Sequence, residues 1–141
     1  MAQRRDIQKI VVIGSGPAVI GQASEFDYSC TQACKALRSL GYDVVLVDSN
    51  PAAVVTDPSV ADHTYIEPLN EECLTRVIEK ERPDALLPGM GGHLAIRVCA
   101  GLNKKGILAQ YGVRIAGIPM NIVEGGENHI AFKKSMDELG L

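Results

Sequence analysis

Ile10-Val11-Val12-Ile13-Gly14-Ser15-Gly16-Pro17, followed by Asp43-Val44-Val45-Leu46-Val47-Asp48-Ser49-Asn50-Pro51, is the stretch that decides the fold. Each apolar run is short, continuous and rich in β-branched residues, the pattern of a parallel strand covered on both faces. A turn follows each of them. Between the two runs, Ser29 and Gln32 have capping-box spacing, so the helix is expected to start there. Ala33, Ala36, Leu37 and Leu40 form its apolar stripe, and Gly41 ends it. The unit is strand, helix, strand, with the right-handed crossover that parallel pairing requires.

Working outward, Thr64-Tyr65-Ile66 predicts a third strand and Asn70 caps the helix after it, with Glu71 and Glu72 in its positive first turn. Cys73, Leu74, Val77 and Ile78 give that helix one apolar face, and Pro83 stops it at Arg82. Asp84 to Pro88 predicts a fourth strand, running into the second glycine-rich turn, Gly89-Met90-Gly91-Gly92. The next helix is expected to turn Leu94, Val98 and Leu102 inward, and Val113 to Ala116 is the fifth strand, closed by Gly117. A last helix, from about Glu127 to Leu139, aligns Phe132, Met136 and Leu139 and ends at Gly140-Leu141. The fold class is therefore α/β: an open, mostly parallel Rossmann-like sheet with helices on both faces. Ligands and partners of such sheets meet the carboxyl ends of the strands, the edge that carries both glycine turns.

The chain has 141 residues, 17 acids against 14 lysines and arginines, and basic residues scattered along its length. That is one domain, without the basic footprint of nucleic-acid binding. No apolar run approaches the ~20 residues of a membrane span. The start, Arg4-Arg5-Asp6, lacks a signal peptide's apolar stretch, so a cytoplasmic location is expected. Cys30, Cys34, Cys73 and Cys99 show no Cys-x-x-Cys spacing and read as reduced core thiols, while His63, His93 and His129 share no metal-ligand spacing. No metal site and no catalytic residue are expected in this chain.

Gly14, Ser15 and Gly16 admit two readings: backbone amides presented to an anion or nucleotide, or a tight turn packed against a following domain. Gly91, Gly92 and His93 share the same edge. The dinucleotide form of the motif needs a third glycine where this chain has Val19, and an acid about 20 residues after the turn. Asp48 lies too far along for that, and Asp48-Ser49-Asn50-Pro51 reads as a turn whose side-chain oxygen accepts from the backbone. Glu25 and Asp27, acids within the otherwise apolar Glu25-Phe26-Asp27-Tyr28, either cap backbone amides or pair across a domain boundary.

The ordered series from Gly14-Ser15-Gly16-Pro17 through Gly21-Gln22-Ala23-Ser24-Glu25-Phe26-Asp27-Tyr28-Ser29 to Asp48-Ser49-Asn50-Pro51 and Thr56-Asp57-Pro58, then Ile78 to Gly92, resembles the N-terminal end of carbamoyl phosphate synthetase large subunits. The match is close over about Ile7 to Gly92 and looser beyond. The resemblance implies a Rossmann-like domain over 1–120 preceding an ATP-grasp domain, with 121–141 as the connecting helix. For the complete enzyme it implies a ligase of arginine and pyrimidine biosynthesis that makes carbamoyl phosphate from two ATP, bicarbonate and glutamine-derived ammonia. Magnesium, potassium and a glutaminase small subunit belong to that assembly, and no cofactor is expected in this chain. The family's Glu-Asp-Arg-x-x-Phe pattern is here Glu127-Asn128-His129-Ile130-Ala131-Phe132, placing His129 where a nucleotide-contacting arginine is expected. Its Thr-Met-Gly-Gly-Gln-Thr is Gly89-Met90-Gly91-Gly92-His93-Leu94, and its glycine after Tyr-Ser is Cys30; the resemblance further implies an internal carbamate tunnel lined at Glu25, with Asp27 beside it at a tunnel or domain interface. Two expectations follow: a domain inactive by itself that partners an ATP-grasp domain in the same or a separate chain, or a stand-alone module binding a small ligand or anion.

Overall fold

The computed structural model describes residues 6–17, 21, 23–121 and 128–140. Five strands, β1 (Lys9–Ile13), β2 (Asp43–Asp48), β3 (His63–Ile66), β4 (Ala85–Leu87) and β5 (Arg114–Ile115), form one sheet in the order β3-β2-β1-β4-β5. Every pairing is parallel. Helices α1 (Ala23–Ser39), α2 (Glu71–Glu81), α3 (His93–Lys104) and α4 (Ile107–Gln110) lie within the connections, and α5 (His129–Leu139) follows the sheet.

The two-residue period of a strand explains the layers. Val11, Ile13, Val45, Val47 and Leu86 point into a core shared with Leu74 and Ile78 of α2 and Cys99 and Leu102 of α3. Their neighbours Ile10, Val12, Val44, Leu46 and Ala85 point to the opposite face, against Cys30 and Cys34 of α1 and Val55 and Val60 of the long β2–β3 connection. Both faces are covered, which is why the strands read as unbroken apolar runs rather than alternating ones.

The expected ends of α2 are present. The Asn70 side chain accepts from the Cys73 amide at 2.8 Å, and Arg82 turns left-handed at φ 49, its N–H donating to the Ile78 carbonyl. Three expectations are corrected. The first helix turns Cys30, Thr31 and Cys34 inward, leaving Ala33, Leu37 and Leu40 half-buried and Ala36 exposed. The first helix begins at Ala23, six residues before Ser29, because Asp27 anchors its first turns: that carboxylate accepts from the Val54 and Val55 amides, both at 2.8 Å. Leu94 is not inward but 38% exposed at the carboxyl edge, and α3 buries Ala95, Val98, Cys99 and Leu102 instead.

The last helix has its cap at Asn128, whose side chain accepts from the Ile130 and Ala131 amides, and it ends at the left-handed Gly140. It buries no side chain, leaving Phe132 50% and Leu139 70% exposed. Its expected start at Glu127, and most of the 121–127 junction, lie outside the described residues. No helix among the described residues is long and apolar enough to cross a membrane.

Replacing the cap with Asn70→Ala is expected to cost about 1 kcal/mol, read as a lower urea midpoint with an unchanged slope. An unchanged midpoint would remove the cap from the account of α2.

Candidate functional site at the carboxyl edge

β1, β2 and β3 run to one side of the sheet and β4 and β5 to the other, so the direction of winding reverses between β1 and β4. That is the point where an open parallel sheet leaves a crevice for ligands. Both glycine turns sit there, and the crevice is closed. A Cβ on Gly91 would stand 2.5 Å from the Ile13 carbonyl oxygen and closer still to that of Gly14. Glycine is therefore required at 91 for backbone contact between the turns.

Three side chains complete the closure. From α1, the Cys30 thiol donates to the Met90 carbonyl at 3.1 Å and lies 3.8 Å from that of Ile13, tying one turn to the other. One helical turn earlier, the Phe26 ring covers Gly92, where a Cβ would meet it at 3.0 Å and where the backbone adopts φ 81. From the end of β2, Asp48 reaches under the first turn. Its Oδ1 accepts from Gly16 N at 3.2 Å and Asn50 N at 3.1 Å, and a Cβ on Gly14 would lie 2.6 Å from its carboxyl carbon. The Gly14 amide itself donates to the Val47 carbonyl at 2.8 Å. Two amides of the first turn are thus engaged within the chain.

Asp48 is fully buried, and its Oδ2 has no hydrogen-bond partner. Burial pushes its carboxyl above the usual range; donation from Asn50, Gly16 and Ser49 pulls the other way, and the Asp27 carboxylate adds to the rise. Burial likewise pushes the Cys30 thiol up to about 12, reinforced by Cys34, Asp48 and Asp27. At neutral pH this thiol is a protonated structural donor, without the thiolate a nucleophile needs.

The candidate residues fall into three places. Gly14, Ser15, Gly16, Gly91, Gly92 and His93 are gathered at the winding reversal, with His93 exposed at the start of α3. Glu25 and Asp27 lie on α1, Glu25 exposed in its first turn and Asp27 holding the β2–β3 connection. His129 is exposed at the start of α5. Beside the closed crevice runs an open groove of about 360 Å³ between Pro17, Ser49, Ile66, Pro68, Leu69 and Leu94. Sequence reasoning missed Phe26 as part of the closure and placed Cys30 only in the core. Their i, i+4 spacing, which sets both on one helix face, was the available signal.

The amides of Gly14 and Gly16 are engaged, and His129 lacks the forked, permanently charged guanidinium suited to phosphate. No three metal-ligating side chains converge among the described residues.

A parallel sheet wound in two directions, with helices on both faces and its crevice sealed by its own turns, defines a Rossmann-like α/β domain. The chain belongs to the carbamoyl phosphate synthase preATP-grasp domain family, whose sequence pattern matches residues 6–125. It is 56% identical over all 141 residues to the carbamoyl phosphate synthase large chain of Nostoc sp., and spans 13% of that protein. To the N-terminal section of the Aquifex aeolicus large chain it is 53% identical over its full length, spanning 25% of it. The chain therefore covers only a minor part of the relatives it matches. Among solved structures, the biotin carboxylase domain of Hydrogenobacter thermophilus 2-oxoglutarate carboxylase superposes over 98% of this chain and 28% of that one, with a TM-score of 0.63 at 17% identity, a likeness of fold alone.

Two variants test the closure. Gly91→Ala is expected to destabilise the chain by about 1–3 kcal/mol, as overpacking does, because the Ile13 and Gly14 carbonyls cannot retreat without breaking β1. A chemical melt of the variant unchanged from wild type would disprove the contact. Asp48→Asn tests the buried carboxyl through pH. A carboxyl whose pKa is raised by folding contributes most while protonated, below its ordinary value of 3.8, and loses that contribution as pH rises through the folded-state value. Wild type should therefore lose stability relative to Asp48→Asn as pH climbs from 3.8, and parallel stability curves would refute the shift.

Proposed function

We propose that this chain is the pre-ATP-grasp scaffold of a carbamoyl phosphate synthase large chain and carries no catalytic group of its own. The observation behind this reading is the similarity over the whole chain at 53–56% identity, joined to a carboxyl edge whose turns are packed against each other. In this reading residues 1–120 form the scaffold and 121–141 the connection to an ATP-grasp domain. The complete enzyme, not this domain, uses two ATP with magnesium and potassium and joins bicarbonate to ammonia delivered by a glutaminase subunit. The setting is the cytoplasm, and the product serves arginine and pyrimidine synthesis. Glu25, exposed at the start of α1, lies at the interface with the rest of the enzyme. Any nucleotide contact is lateral, through His93 or His129, rather than through the turn at Gly14.

The competing reading, a stand-alone anion-binding module, rests on the same glycine turns and is weakened by the engagement of the Gly14 and Gly16 amides.

The decisive experiment exchanges this chain for the corresponding 141 residues of the Nostoc large chain. The chimera is expected to form carbamoyl phosphate from ATP, bicarbonate and ammonia within about tenfold of the parent rate, a transition-state difference of about 1.4 kcal/mol, while the isolated chain forms none. Turnover by the isolated chain, or a folded but inactive chimera, would overturn the proposal.

A further inference from the structure

The one fully buried carboxyl among the described core residues has a place but no counter-charge. Asp48 sits under the first glycine turn, with one oxygen held by the Gly16 and Asn50 amides and the other without a hydrogen bond. No salt bridge reaches it among the described residues. The charged group that acts on it is another carboxylate, Asp27. A backbone turn with amides directed at one point is the arrangement by which proteins take up small anions, and here the point is filled by the chain's own side chain. Gly14 completes the fit, since any Cβ there would overlap the carboxyl group.

We infer that the Asp48 carboxyl is the built-in occupant of a small-carboxylate site formed by the Gly16 and Asn50 amides. The first glycine turn is thereby closed to external carboxylates and phosphates by the chain itself. The inference does not depend on the assignment of the chain to a larger enzyme, because it concerns only contacts within the domain. The site has the size of one carboxyl group, walled by the Gly14 backbone on one side.

The test uses the 141-residue chain with Asp48→Ala, which removes the carboxyl group and leaves room for formate. Thermal melts are run in sodium formate, sodium chloride and sodium propionate at equal ionic strength. The variant's Tm is expected to rise saturably with formate and to stay flat in chloride and in the bulkier propionate, while wild type responds alike to all three. Amide NMR supplies the location: formate should move the Gly16 and Asn50 resonances of the variant, and neither formate nor inorganic phosphate should move them in wild type. If the variant does not fold unaided, refolding in formate must recover the native spectrum. Equal melting in formate and chloride, failure to refold in formate, or movement of the wild-type Gly16 amide by formate or phosphate would each overturn the inference.

Discussion

The approach of Gly91 to the carbonyls of Ile13 and Gly14 is the constraint on which the rest of this domain depends. It joins β1 to the turn after β4 at the one place where a doubly wound parallel sheet would otherwise stay open. Once those backbones touch, the remaining contacts have little freedom. Cys30 must offer a small donor between two carbonyls, Phe26 must lie flat on a glycine, and Asp48 must fit where Gly14 has no side chain. The three side chains come from α1 and β2, elements that flank β1, so strand order and edge closure are two views of one arrangement.

That arrangement sets the electrostatics. Filling the crevice with backbone and apolar side chains removes water from it, and the groups left inside respond as buried groups do. The Asp48 carboxyl and the Cys30 thiol both shift toward their neutral forms, with burial the largest cause in each. An edge whose Gly14 and Gly16 amides are already engaged within the chain offers few donors to a charged substrate. It offers a fixed shape to a neighbouring surface, and exposed Ile66 and Leu94 supply apolar contact at its margin.

Strand positions were legible because their apolar runs are short and bounded by glycine or proline, and Asn70, Arg82 and Pro83 marked both ends of α2. The start of α1 was not. Ser29 and Gln32 carry a capping pattern, yet the helix runs through them, since the carboxylate of Asp27 is tied to Val54 and Val55, residues 27 and 28 positions away in sequence. Local pattern has no access to such a partner. Leu94 misled for a related reason: its helical spacing with Val98 fits an inward stripe, but it lies on the first turn of α3, beyond the end of the sheet that covers the rest. The candidate site was legible as a location, both turns being assigned to the carboxyl edge, but its closure required knowing which atoms occupy the space beside each glycine.

Glycine can stand at a turn for two physical reasons, and this edge contains both. Gly16 and Gly92 adopt positive φ, at 75 and 81, which side chains resist wherever they point. Gly14 and Gly91 are excluded from having a side chain by what lies next to them, a carboxyl group and two carbonyls. Neither kind frees the amides of the first turn: that of Gly14 donates to the Val47 carbonyl and that of Gly16 to Asp48. A glycine-rich turn after a parallel strand is thus a statement about backbone proximity before it is one about phosphate. Which of the two it serves is decided by the residue at the end of the neighbouring strand, where an acid turned inward occupies the amides that an acid turned outward would leave open.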